Sequence, residues 1–345
     1  MLVLLAIVSI LSVAVIFYNL YANYRQKRIA LSREWLKNCI ESYLHGNLSA
    51  NALQKLIHSQ NAELVGVLAQ MGESANPVYR ARLLSVIPEC HCEFIISKEL
   101  YRLKSTSWLD RFNVMTYLPF ITSAEIATQP LLHGLGDEYL DVRIAAAQSL
   151  SELDDPSSIR PILASLALQG SWPIKRLIEI ILRFDDRAIP ILVQYLKDPA
   201  ASESGIQVAI AVLGYKKASS SISTLTQLTS HINLEIRIET YGALGSIEDA
   251  SAFPMILGGM LDDRWEIRSA SAKALGYFPG AVSISALQRG LTDRVWWVRF
   301  NCASSLGDLG VDGKEALLQS LKSPDRFARE ISQMILDRSH SEVSV

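Results

Sequence analysis

The chain lacks most of what covalent or metal chemistry is built from. Four cysteines in 345 residues (Cys39, Cys90, Cys92 and Cys302) are no disulfide framework and read as thiols in a reducing compartment. Cys90 and Cys92 flank His91, but no second Cys/His pair stands at ligand spacing, and zinc usually takes four ligands. No metal and no other cofactor is expected. Charge of one sign is lacking too: 33 basic against 35 acidic residues leave a formal net charge of -2. That balance gives no general attraction for nucleic acid, which needs a concentrated basic face. There is no Gly-x-Ser-x-Gly, no phosphate loop ending in Lys-Ser/Thr and no His-Glu-x-x-His. The six histidines pair with no Cys or Ser at a motif spacing, so no catalytic residue is nominated and no enzyme is expected. Segments of alternating polarity are also missing, which excludes a sheet protein and leaves an all-α chain.

What is present begins with one apolar run. Leu2 to Phe17 carries no charge, and only Ser9 and Ser12 are polar. As a helix, Leu2 to Tyr24 would rise about 34 Å, enough for a bilayer core of about 30 Å. Tyr18, Tyr21 and Tyr24 stand where an aromatic belt belongs. No Lys or Arg precedes the run and the residues after it are bulky, which favours an uncleaved anchor over a signal peptide. Arg25, Lys27, Arg28, Arg33 and Lys37 follow it, and positive charge stays on the cytoplasmic side. The expectation is a transmembrane anchor over 1–24 in the inner, cytoplasmic membrane. A basic juxtamembrane helix over 25–46 follows, and the remaining chain faces the cytoplasm.

The strongest signal is internal repetition. Aligned on one position, the chain shows Arg80, Arg111, Arg143, Lys175, Ile206, Arg237, Arg268, Arg299 and Arg329, at steps of 30 to 32 residues. Seven residues after each stands Ile87, Leu118, Leu150, Leu182, Leu213, Leu244, Leu275, Leu306 or Leu336. Each unit has room for two helices and two turns. Pro130, Pro161 and Pro190 mark first helices, where a missing N–H is tolerated at the start. Leu244-Gly245, Leu275-Gly276 and Leu306-Gly307 mark ends of second helices. Two helices cannot cover their own apolar face, so units stack and share one core. The expected fold is an α-solenoid of about nine two-helix units over 47–339, with a short tail over 340–345.

The segments Leu135-x-Asp137 with Val142-Arg143, Leu261-x-Asp263 with Ile267-Arg268, and Leu291-x-Asp293 with Val298-Arg299 resemble the HEAT-repeat family. The likeness is greatest to its short-repeat branch, the phycobilisome-lyase-like HEAT repeats. The resemblance implies a solenoid and a binding or scaffolding role. It departs at Ile206, which lacks the Arg, and at Ser323, where an Asp would stand.

The ladder of Arg143, Arg237, Arg268 and Arg299 with Asp137, Asp263 and Asp293 reads as structural, because an active site needs a unique constellation and these residues recur in each unit. Each Asp can cap a helix, and each Arg can pair with its own or a neighbouring Asp. Three residues before the ladder position stand Trp108, Trp172, Trp265 and Trp296, with Trp297 adjacent. Such rings either wedge between neighbouring turns or form an edge that receives a partner. On the second helices, Arg82, Asn113, Gln148, Glu239, Lys273 and Asn301 break an apolar pattern. They are candidate groove residues, and ordinary solvated surface describes them as well. The expected function is a membrane-anchored cytoplasmic scaffold or adaptor with a protein partner, such as a membrane-associated complex. The resemblance also implies an alternative: a bilin lyase-like enzyme holding a tetrapyrrole in the groove.

Overall fold

The computed structural model describes residues 2–167 and 174–342, and leaves the side chains of 2–10, 58–62 and 339–342 undescribed. Among the described residues every regular element is helical. The chain forms two compact units, Met1–Leu153 and Asp154–Val345.

In the first unit, α1 (Leu2–Leu44) is followed by α2 (Ala50–Glu73), α3 (Pro77–Glu89), α4 (Phe94–Arg102), α5 (Trp108–Ile121), α6 (Ala124–Gly134) and α7 (Leu140–Glu152). Leu36, Ile40 and Leu44, one turn apart on α1, are buried, and α1 packs on α2. Arg33 adds an ion pair to Glu63 at 2.6 Å. Spacing by four puts three apolar side chains on one stripe, and burying that stripe is what fixes this half of α1.

The membrane anchor, and with it the single-pass inner-membrane location, is corrected here. No helix among the described residues is long and apolar enough to cross a membrane. Side chains 1–10 of the expected span lie outside the described residues. Between Leu11 and Arg25 the apolar run is interrupted by Ser12, Asn19 and Asn23.

The second unit holds α8 (Ile159–Leu166), α9 (Ile174–Leu182), α10 (Ala188–Leu196), α11 (Glu203–Tyr215), α12 (Ile222–Leu228) and α13 (Leu234–Ile247). It continues with α14 (Phe253–Gly259), α15 (Trp265–Leu275), α16 (Ala281–Gly290), α17 (Trp296–Asp308), α18 (Gly310–Ser320) and α19 (Arg326–Glu342). Short 3-10 turns at Pro156–Ser158, Ser219–Ser221 and Ala250–Ala252 lead into α8, α12 and α14. Asp155 and Asp249 cap the first and third of these through the amides of Ser157 and Ser251. First and second helices alternate, and the second helices α9, α11, α13, α15, α17 and α19 stack in sequence order. That is the layering of an all-α solenoid. The Leu column is its spine: Leu213, Leu244, Leu275 and Leu306 are each fully buried. Removing one such side chain costs about 2–5 kcal/mol.

The ladder arginines clip successive repeats. Arg268 donates through Nη1 to the carbonyl of Asp262 in its own turn and through Nε and Nη2 to Asp293 of the next repeat. Arg111 makes the same fork to Asp137, and Arg237 pairs with Asp262 at 2.5 Å. Arg143 and Arg299 donate to the carbonyls of Asp137 and Asp293 in their own turns. For Arg299 the next-repeat partner is the ring of Phe327, 4.6 Å away, where the sequence offers Ser323 in place of an Asp. The second ladder carboxylate is Asp262; Asp263 is exposed and supplies only its carbonyl to Arg268. Arg80 departs from the pattern and reaches Glu152.

Two glycines expected to end helices do not. Gly245 lies inside α13 and Gly307 inside α17, while Gly276 does cap α15. A Cβ on Gly245 would stand 2.8 Å from the Cα of Ala274, so this glycine is there for helix approach. Pro130 sits inside α6 and not at its start.

Candidate functional site

Close approach of the second helices shapes the surface above them. Gly214 on α11 faces the backbone of Ala243 on α13, and Gly245 on α13 faces that of Ala274 on α15. Small residues at these contacts leave a floor too thin to fill the space between taller side chains. The result is a groove of about 330 Å³ over α11, α13 and α15, bounded by Tyr215, Glu239, Lys273 and Tyr277. Gly242 lies exposed on its floor, and a Cβ there would meet nothing within 4 Å.

Glu239 and Lys273 bring opposite charges into this groove from neighbouring helices. Burial, and then the like charge of Glu235 one turn away, push the Glu239 carboxyl above its ordinary range. Neither Glu239 nor Lys273 makes an ion pair within 4 Å to another described residue.

A second cavity of about 530 Å³ begins on the other side of Tyr277, among Phe253, Phe278, Pro279 and Val282. The rings of Phe253 and Phe278 lie 5.6 Å apart, and Val282 is exposed. This cavity sits on the turns that join each second helix to the next first helix. Earlier turns of the same kind are tied by ion pairs: Asp154 to Arg187 at 2.6 Å, Asp186 to Lys216 at 3.2 Å, and Lys217 to Glu248 at 2.7 Å. Asp154, Lys217 and Glu248 hold left-handed backbone there. The next turn, after Tyr277, replaces charge with Phe278, Pro279 and Gly280, and the row of ion pairs gives way to a mainly apolar hollow that the paired Glu248 also lines.

Of the residues nominated from sequence, the structure brings Glu239 and Lys273 together. Asn301 is corrected: it is buried and donates to Ser269 at 2.5 Å, a bond between repeats that needs no partner. Arg82, Asn113 and Gln148 belong to the first unit. Arg82 donates to the carbonyl of Leu44, and Asn113 and Gln148 are half-buried. Trp265, Trp296 and Trp297 stand at the starts of α15 and α17, the opposite end of the second helices from Tyr277. Trp296 stacks on Phe300 at 5.0 Å and meets Trp297 edge-on at 4.7 Å, and all three tryptophans remain partly exposed. Trp108 stacks on Tyr139 of the following repeat at 6.1 Å. Trp172 lies outside the described residues.

Sequence reading missed Tyr215, Tyr277, Phe253, Phe278 and Val282. A signal existed for the tyrosines: each stands nine residues after its ladder position, at Ile206 and Arg268. The phenylalanine cavity joins two turns and has no periodic mark.

Residues 189–276 and 256–336 match the family model of HEAT repeats. No curated protein matches the sequence. Among solved structures, the karyopherin Kap121p bound to the SUMO protease Ulp1p is similar with a TM-score of 0.50 and 14% identity, over 88% of this chain and 41% of that one. Kap121p bound to Pho4p aligns over the same shares at 0.49 and 14%. Human deoxyhypusine hydroxylase in complex with glycerol aligns at 0.30 and 19%, over 89% of this chain and 96% of that one. At such identities the likeness is one of fold. The chain spans about two fifths of the length of the karyopherins it matches.

Proposed function

We propose that the chain is a non-enzymatic, protein-binding scaffold, and that the second-helix face of its second unit receives the partner. The observation that supports this is the groove itself. Opposite charges on adjacent helices face an open channel whose floor is glycine and alanine, and two tyrosines flank them. Tyrosine supplies large contact area with a polar tip and is enriched at interfaces. A repeat array suits the role because each unit adds a strip of surface to one continuous face. The partly exposed Trp296 and Trp297 offer a second contact along the opposite edge. The likeness to karyopherins extends to fold, so the argument rests on the groove.

The experiment is site-specific photocrosslinking. A benzoyl-phenylalanine is placed at Tyr215 or Tyr277, and as a control at Gln227, exposed on α12. One protein captured from both groove positions and not from Gln227, and lost on combined Glu239→Lys and Lys273→Glu exchange at unchanged melting temperature, supports the scaffold. Equal capture from Gln227, or a capture indifferent to the charge exchange, defeats it. Absorbance titration with a linear tetrapyrrole addresses the bilin lyase-like alternative on the same groove.

A further inference from the structure

Resting on that reading, the groove and its neighbouring hollow define the chemistry of what they hold. Tyr277 lines both cavities, so an occupant passing over it meets the charged groove on one side and the phenylalanine hollow on the other. The hollow lies where the row of turn ion pairs ends, and it offers Phe253, Phe278 and Val282 to one large apolar side chain. In the groove, the Glu239 carboxylate stands close to Glu235 with no cation of its own among the described residues. A carboxylate in that position gains most from a donor that is itself charged, since charge-assisted hydrogen bonds are about twice as strong as neutral ones. Lys273, exposed like Glu239, lines the same groove and presents the opposite charge.

We infer that this surface takes a single segment of a partner protein that carries a large apolar side chain for the Phe253–Phe278–Val282 hollow and a Lys or Arg for Glu239. The small floor at Gly242 lets the backbone of that segment lie close to α13. An acidic residue in the segment meets Lys273 and fixes its direction along the groove, because reversing the segment puts like charges opposite one another.

The test uses the full chain, immobilised, and a phage-displayed library of random dodecapeptides. Enrichment of sequences that combine an aromatic or large aliphatic residue with Lys or Arg is expected. Synthetic versions of the enriched peptides, followed by fluorescence anisotropy, should bind about tenfold more weakly to Glu239→Gln and more weakly to Val282→Asp. Gln227→Ala should leave their binding unchanged. Glu239→Lys should recover binding for peptides whose basic residue is replaced by Glu. No enrichment, enriched peptides without a basic residue, or binding indifferent to Glu239→Gln overturns the inference. If groove crosslinks to a native partner persist while the library shows no basic preference, this inference falls and the scaffold stands. If both fail, both fall.

Discussion

Arg268 and Asp293, 25 residues apart, are joined by two parallel bonds, Nε to Oδ2 at 2.7 Å and Nη2 to Oδ1 at 3.0 Å. Both side chains are nearly buried. The fork binds one repeat to the next, and Asp293 also accepts from the amide of Val295 at the turn before α17. One carboxylate thus holds a turn and a repeat boundary together. Arg268→Ala leaves that carboxylate short of its charged partner and should cost about 1–3 kcal/mol. The double change Arg268→Met with Asp293→Leu should recover much of the loss, since apolar replacements of a buried pair are often near neutral. Urea denaturation of both single variants and the double gives the coupling directly. Additive losses in the double variant would show that the pair does not act as a unit.

The same pair sets an acid limit. Burial pushes the Asp293 carboxyl up, but the hydrogen bonds from Arg268 and the Val295 amide outweigh it and hold it below the usual carboxylate range. Asp137 is held low in the same way by Arg111 and the Tyr139 amide. A carboxyl whose folded value is depressed adds stability that is present above the unfolded value, about 3.9, and lost as pH falls through the folded value. Melting temperature should therefore drop below about pH 4. The drop should be shallower in Arg268→Ala, which has already lost part of the linkage. A parallel pH dependence in wild type and variant would remove Asp293 from the explanation.

Gly245 and Gly242 lie three residues apart on α13 and should respond oppositely to alanine. At Gly245 the new methyl would stand 2.8 Å from the backbone of Ala274, and overpacking of this kind costs about 1–3 kcal/mol. At Gly242 the methyl enters open space, so only helix propensity acts, in favour of alanine by up to about 1 kcal/mol. Chemical denaturation of the two variants should move the midpoint in opposite directions. A stabilised Gly245→Ala would mean that α13 and α15 are not packed as closely as described.

The cysteines should separate by burial. Burial pushes the Cys90 thiol to about 11, helped by Cys92 and Glu89, and raises Cys92 and Cys302 as well. Cys39 is raised too, but it alone of the four is only half-buried. At pH 8 native protein should react with a maleimide first at Cys39, and at the other three only after unfolding, because the thiolate is the reacting form. Mass mapping of early products checks the order. Prompt labelling of Cys302 would place α17 outside the core.

The sequence by itself determined the period, the helical character and the spine. A ladder position every 30 to 32 residues, Arg at seven of nine, with an apolar residue seven later says that one two-helix unit recurs and that its face must be covered by the next. Those are properties of a linear pattern. Tertiary structure decided which members of the pattern meet. Asp262 and not Asp263 takes the ladder position, because a one-residue shift rotates a side chain from the repeat boundary to solvent. Gly245 proved to be a helix contact and Asn301 a buried bond between repeats, because whether a column faces solvent depends on how closely the neighbouring helix approaches. The apolar N-terminal run read as a span from its composition alone, whereas the later half of the same helix is held by packing on α2. The groove was invisible in the chain for a related reason: it is made by glycines and alanines that do not fill space. Emptiness between three helices is a property of their separation, which no single repeat encodes.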